Sequence, residues 1–156
     1  MGIPKRLLEL LNAGKVRYEI LHHPEAFTAQ ELAAIEHVPG RSHAKVVVVK
    51  AGDELLMTVL PADRRVDLAK LGTVIGRPAT LAVEDDFKIQ FADCATGTMP
   101  PLGQLYGVTT YLDRSLATAD SIVFEAGTHS DAVKMKFADY QRLAKPIIAE
   151  FTTKTS

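Results

Sequence analysis

The sequence predicts an α+β fold built on a mixed, mainly antiparallel sheet. Three observations lead there. Apolar residues recur with a helical period in some segments and alternate in others. Helix-like and strand-like segments do not alternate strictly, which argues against a repeating βαβ design. Two β-rich runs flank Gly52-Asp53, a turn pair that suits an antiparallel hairpin. The chain has 156 residues and no linker, repeat or low-complexity stretch, so one domain over residues 1–156 is expected.

Each element follows from a local pattern. In IPKRLLELLNAG, Ile3, Leu7, Leu8 and Leu11 share a helical face, and Gly14 is the stop signal. KVRYEIL alternates Val16, Tyr18 and Ile20, a strand. TAQELAAIEHV opens with Thr28 and Glu31, a capping box that starts a second helix. AKVVVVKAGDELLMTVLPA is the hairpin. RRVDLAKLGTVIG reads as a short helix ending near Gly72 or Gly76, and VEDDFKIQF as another. Strands are expected in LYGVTTYL, SIVFEAG and AVKMKF. FADYQRLAKPIIAEF places Phe137, Tyr140, Leu143, Ala144, Ile147, Ile148 and Phe151 on one helical face, with Pro146 kinking or restarting the helix.

Composition narrows the function. No apolar run is long enough to span a bilayer, and the N-terminus carries charges through its apolar stretch, unlike a signal peptide. The single cysteine, Cys94, forbids an intrachain disulfide and fits a reducing cytoplasm. A formal net charge of −1 requires any nucleic-acid partner to be met weakly or through a local basic patch. No phosphate-binding P-loop, GxGxxG or HExxH motif is present. His22, His23, His37, His43 and His129 lack metal-ligand spacing, so no metal is expected. Consecutive Asp85 and Asp86 diverge on a helix and read as a solvated helix start rather than an acid/base pair. Cys94, among apolar neighbours, reads as a small buried hydrophobe, with a thiol nucleophile as the competing assignment.

Two features carry more chemistry. Lys45 leads a valine-rich strand and shares a face with Val47 and Val49, while Lys50 faces the other way. A partly desolvated ammonium there would anchor a phosphate or a carbonyl oxygen; the plainer role is a lysine reaching into water from a strand end. The second feature is ATGTMPPLGQLYG, residues 95–107. Gly97 permits a positive φ or a close approach, and Pro100 and Pro101 fix their own φ and restrict the residues before them. Such a loop holds its N–H groups in one arrangement, as an oxyanion hole requires; alone it also reads as a rigid turn.

Taken in order, Lys45, GTMPP, then LG resembles the YbaK/EbsC family of aminoacyl-tRNA deacylases, which includes the editing domain of bacterial prolyl-tRNA synthetases and freestanding ProX-type proteins. The family's lysine falls on Lys45 and its GxxxP loop on residues 97–101. TAQELA, VLPADRRVDLAKL and AGTHSDAVKMKFADYQRLAKP also match in order, from about Thr28 to the C-terminal helix.

The resemblance implies a compact α+β fold with a barrel-like sheet core flanked by helices. It implies hydrolysis of the ester joining a wrong amino acid to the tRNA 3′ end, without cofactor, metal or protein nucleophile. The ribose 2′-OH of the substrate would position or activate water. Backbone N–H groups at Gly97, Thr98 and Met99 would hold the scissile carbonyl, and Lys45 would bind the terminal phosphate or polarise the ester. Pro100, Pro101, Gly127, Thr128 and His129 are expected at the substrate. The implied partner is mischarged tRNA, with a synthetase or elongation factor as helper, and no membrane. Two other classes stand beside this one: a non-catalytic binder of aminoacyl or nucleotide ligands, and a thiol enzyme using Cys94.

Overall fold

The structure is a computed structural model and describes residues 2–23 and 42–154. The capping-box helix expected from Thr28, and His37 with it, lie outside the described residues. Ten strands and four α-helices are described: α1 Lys5–Ala13, β1 Tyr18–His22, β2 His43–Ala51, β3 Glu54–Pro61, β4 Arg64–Val66, α2 Leu68–Ile75, β5 Thr80–Leu81, α3 Glu84–Phe87, β6 Thr109–Asp113, β7 Ser121–Glu125, β8 Asp131–Lys136, α4 Phe137–Ala144, β9 Ile147–Ala149 and β10 Thr152–Lys154. The main sheet runs β1-β8-β7-β2-β3-β6-β9, with β5 added to β2. A two-stranded ribbon pairs β10 with β4.

The sheet is mixed and mainly antiparallel, as the patterning predicts. β1/β8, β7/β8, β2/β3, β2/β5 and β4/β10 are antiparallel; β2/β7, β3/β6 and β6/β9 are parallel. Among the described residues the pairing path runs from β1 to β9 without closing into a ring. The Gly52-Asp53 hairpin forms as expected, with Ala51 opposite Glu54 and Gly52 at φ 63°.

Strand β2 is covered on both faces, which explains its unbroken valine run. Ala44, Val46 and Val48 belong to a large core that also takes Leu7 and Leu11 of α1 and Phe137, Tyr140 and Ala144 of α4. Val47, Val49 and Ala51 join a smaller core on the other face, closed by Leu71 of α2 and by Phe151. Helices therefore pack on both sides of the sheet.

The stop expected at Gly14 holds, by a packing role rather than a left-handed turn, and the end of the C-terminal helix is corrected. Helix α1 does stop at Gly14, but Gly14 keeps φ at −74°, and the left-handed residue is Lys15 at φ 54°. A methyl on Gly14 would lie 2.6 Å from Leu143 Cδ2, so this glycine serves close packing on α4. The C-terminal helix ends at Ala144 rather than running on to Phe151. Lys145 turns left-handed at φ 47°, because a residue before proline avoids the α region and Pro146 offers no N–H. Ile147 and Ile148 then extend as an edge strand parallel to β6, and Phe151 is fully buried in the smaller core. In RRVDLAKLGTVIG the first three residues are strand β4, and α2 begins after Asp67, whose carboxylate accepts the Lys70 N–H at 3.1 Å. Strand β6 begins only at Thr109, because Gly107 makes a turn at φ 72°.

Candidate active site

Lys45 sits near the start of β2, opposite Leu60 of β3. Its neighbour Ala44 pairs with Phe124 of β7. Lys45 thus lies where two strand ends meet: that of β3, continuing into Ala62 and Asp63, and that of β7, continuing into Gly127. Its half-buried ammonium donates to the Ala62 carbonyl at 3.4 Å. Burial lowers its pKa from the usual lysine value, and the Asp63 carboxylate opposes that shift. Of the two roles the strand pattern leaves open, a partly desolvated cation and a lysine reaching into water, the half-burial fits the first.

The Gly97 loop is joined to the β7–β8 turn by paired backbone bonds. Ala95 N–H donates to Gly127 O at 2.9 Å, and Gly127 N–H donates to Thr98 O at 2.9 Å. These bonds bring together the two segments singled out separately in the sequence. Gly97 has φ 80°, and a methyl there would meet no atom within 4 Å. The conformation, not crowding by the protein, demands glycine at this exposed apex. Gly127 also has positive φ, 86°, and a Cβ would collide with the Pro4 ring at the start of α1.

The flanking residues are interior. Thr98, Met99, Pro100 and Pro101 are buried. Thr98 donates to Ala95 O through both its N–H, at 3.1 Å, and its hydroxyl, at 2.6 Å. The Thr98 amide expected at the scissile carbonyl is therefore engaged in the turn, and its side chain braces the loop. Thr128 braces the second loop: its hydroxyl donates to Asp131 at 2.7 Å and accepts from the Ser130 N–H at 3.2 Å. His129 is half-buried on the same turn. Lys45 and the Gly97 loop share no direct hydrogen bond among the described residues; the end of β7 stands between them.

Several residues missed by sequence reasoning hold the loop in shape. Arg6 of α1 spans its two sides, donating to Asp93 at 2.7 Å and to Leu105 O at 2.7 Å while lying 4.6 Å from the Tyr106 ring centroid. The fully buried Tyr140 donates its hydroxyl to Pro101 O at 2.6 Å. Gln90 reaches Tyr106 O at 2.9 Å, and the Gly103 N–H reaches Thr110 Oγ1 at 2.9 Å. The prolines supply only part of the stiffness; the rest is tertiary.

The surroundings of Cys94 favour the thiol over the thiolate. Its sulfur lies 3.1 Å from the Tyr106 hydroxyl, and burial pushes the thiol up to about 11 despite that contact. At neutral pH it stays protonated. Asp85 and Asp86 begin a helix, as expected: Asp86 accepts the Val83 N–H at 2.9 Å and Asp85 pairs with Lys88 at 2.9 Å.

A family model for the aminoacyl-tRNA editing domain matches residues 23–143, which carry Lys45 and both loops. The chain belongs to this family. Among curated members of related sequence is the "Multifunctional Ser/Thr-tRNA deacylase ProXp-y" of Escherichia coli K12. It is 27% identical over 153 residues, spanning 94% of this chain and 91% of its own. Two crystal structures share the editing-domain fold. One, of hypothetical protein APE2540, superposes with TM-score 0.85 at 17% identity, covering 96% of this chain and all of its own. The other, a candidate trans-editing enzyme for prolyl-tRNA synthetase, gives TM-score 0.82 at 19% identity over 97% of this chain and 96% of its own. No helix among the described residues is long and apolar enough to cross a membrane.

Proposed function

We propose that this protein is a trans-editing hydrolase that removes a wrongly attached amino acid from the 3′ end of tRNA. The observation that carries the reading is the braced loop pair: a positive-φ glycine at an open apex, tied by backbone bonds to a second glycine loop beside the end of β2 that bears Lys45. Backbone amides held this rigidly can meet a developing oxyanion without reorganising, the requirement of electrostatic catalysis.

The reaction needs no covalent enzyme intermediate. Water adds to the ester carbonyl carbon, and the carbonyl oxygen takes the negative charge. The amides of Gly97 and Met99 are the loop's candidates to receive that charge, since Thr98's amide is engaged by Ala95. As the tetrahedral intermediate collapses, the carbon–O3′ bond breaks. The ribose 2′-OH relays the proton lost by water to the departing 3′ oxygen. Lys45 holds the terminal phosphate and so fixes the adenosine against the loop. Pro100 and Pro101 keep the loop in register, while His129 stands at the rim of the amino-acid pocket. Selection by pocket shape is worth only ~1–3 kcal/mol per methylene, so a second sieve after the synthetase is useful.

Serine and threonine are the first amino acids to assay, because a curated relative is named for them. The test is deacylation of a panel of mischarged tRNAs, alone and with a synthetase or elongation factor added. Hydrolysis of one mischarged tRNA well above the spontaneous rate, with correctly charged tRNA spared, is the expected result. Tight binding without hydrolysis across the panel would leave a non-catalytic binding module instead.

A further inference from the structure

Beyond Ala62, which receives the Lys45 ammonium, the chain runs through Asp63 into Arg64 and the β4–β10 ribbon. A cavity of about 260 Å³ opens there. Its lining includes three cations, Arg64, Lys70 and Arg114, and two carboxylates, Asp113 and Glu150. The carboxylates do not balance the cations. Asp113 is buried and faces inward, accepting the Phe151 N–H at 3.0 Å, the Ser115 N–H at 3.2 Å and the Ser115 hydroxyl, with Arg64 Nε 4.0 Å away. Glu150 pairs with Arg114 at 2.9 Å on the exposed rim.

Lys70 has no carboxylate partner among the described residues, Arg64 has only the distant Asp113, and both are aimed. Arg64 is oriented by Thr152, through its hydroxyl at 2.5 Å and its carbonyl at 3.3 Å. That leaves Arg64 Nη1 with no hydrogen bond among the described residues. Lys70 leans on the same carbonyl at 3.4 Å. The ribbon register then sets Lys154 directly opposite Arg64 and Thr153 opposite Arg65. Like charges facing each other across two antiparallel strands oppose the pairing, and an anion bound from outside the protein would relieve that repulsion. In a chain of net charge −1 this is a local concentration of positive charge, the form of basic patch that composition left open.

We infer that this cavity and ribbon hold backbone phosphates of the tRNA acceptor stem. Arg64, Lys70 and Lys154 are the contacts. The identity of the RNA rests on the deacylase reading; the phosphate chemistry rests on the cations alone. The placement fits, because Lys45 shares its sheet face with Val47 and Val49, which pack on the same smaller core as Phe151, beside Thr152. A nucleic acid whose last phosphate meets Lys45 is therefore within reach of the Arg64 ribbon, which begins two residues after the Ala62 carbonyl that Lys45 holds. A second basic groove, containing Arg17, Lys134 and Lys136, lies at the Ser121 end of β7, away from Gly127. Its Lys134 faces Glu19 across β1 and β8, and it serves as the control.

The test measures binding of an uncharged acceptor-stem minihelix against salt concentration, so it needs no hydrolysis. Lys70→Gln and Lys154→Gln replace exposed side chains and should leave the melting temperature unchanged. Each should reduce the slope of log K against log salt by about 1 and weaken binding about 8-fold at 0.1 M salt. Lys136→Gln should bind like wild type. Unchanged affinity and slope in folded Lys70→Gln and Lys154→Gln, or a larger loss in Lys136→Gln, overturns the inference. So does equal competition by 10 mM inorganic phosphate or adenosine monophosphate at fixed ionic strength, which would assign the cavity to a free small anion. Normal minihelix binding with no hydrolysis of any mischarged tRNA would support this inference while removing the deacylase reading.

Discussion

The role proposed for Lys45 follows from where the strand leaves it, half-buried with one carbonyl partner. Lys45→Ala removes one half-buried side chain at a strand end, so the melting temperature should change little while deacylation falls by ~100-fold or more. A folded Lys45→Ala protein with wild-type single-turnover hydrolysis would take the lysine out of the reaction. Protonation gives a second check. Burial lowers the pKa, so the ammonium is lost as pH rises through a midpoint below the ordinary 10.5. If the charged form is required, kcat/KM, corrected for spontaneous ester hydrolysis, should fall on the alkaline side with that midpoint, and the limb should vanish in Lys45→Ala. Cys94 gives the opposite expectation. With its thiol pushed up to about 11 from 9.0, thiolate is roughly 100-fold scarcer at neutral pH, and alkylation should be correspondingly slow. Cys94→Ala should keep full activity, and a well-folded but inactive variant would reinstate the thiol enzyme. Strand alternation placed Lys45 at the head of an apolar face but left it a plain strand-end lysine; only its order before the GTMPP loop singled it out. Arg6 was not legible, since its partners lie 87 and 99 residues away and nothing local announces them.

At the level of elements, the 95–107 loop combines a local signal with a tertiary one. Glycine and proline spacing announced a stiff turn. The braces come from α1 and α4, which the pattern of the loop itself cannot reveal. Gly97→Ala should separate conformation from crowding, because the methyl would enter open space. The cost is the left-handed backbone, about 1–2 kcal/mol, which lowers Tm by a few degrees and shifts the neighbouring amides. Deacylation should fall more steeply than stability; a stable variant with unchanged rate would show that the apex plays no part in catalysis. Tyr140→Phe tests the brace from behind. It leaves Pro101 O without its buried donor, at a cost of about 1–3 kcal/mol. A lower kcat with little change in KM, alongside the lower Tm, would mark a loop held out of position. A lower Tm with unchanged kcat would make the bond purely structural. The helices show the limits of periodicity. The apolar spacing of the C-terminal segment ran smoothly through Pro146, yet Lys145 reverses the chain and Ile147 joins a sheet edge. There the backbone restriction at proline overrode the side-chain pattern.

Across the whole molecule, sequence reading reached the mixed sheet, the hairpin and the two loops. It could not place one loop beside the other. That contact comes from β7 and β8 delivering Gly127 against residues 95–98, a pairing set by long-range topology. The same topology leaves the chemistry sparse. The strongest titratable candidates are accounted for elsewhere: Asp113 anchors Phe151 and Ser115, Asp131 binds His22 at 2.6 Å and Thr128, and Cys94 is protonated. A proton route through the substrate's own ribose is then the economical one. The decisive comparison is a mischarged tRNA ending in 2′-deoxyadenosine, with the amino acid on the 3′-OH. Binding should be nearly unchanged, because the phosphates and the amino acid are intact. The single-turnover rate should drop by ~100-fold or more, as expected when a positioned proton carrier is removed. Equal rates for the ribo and deoxy substrates would rule out the 2′-OH and demand a base on the protein. His129, on the turn tied to the Gly97 loop, is then the first residue to replace: His129→Ala should abolish hydrolysis of both substrates if it is that base, and should leave the ribo substrate largely unaffected if the ribose is.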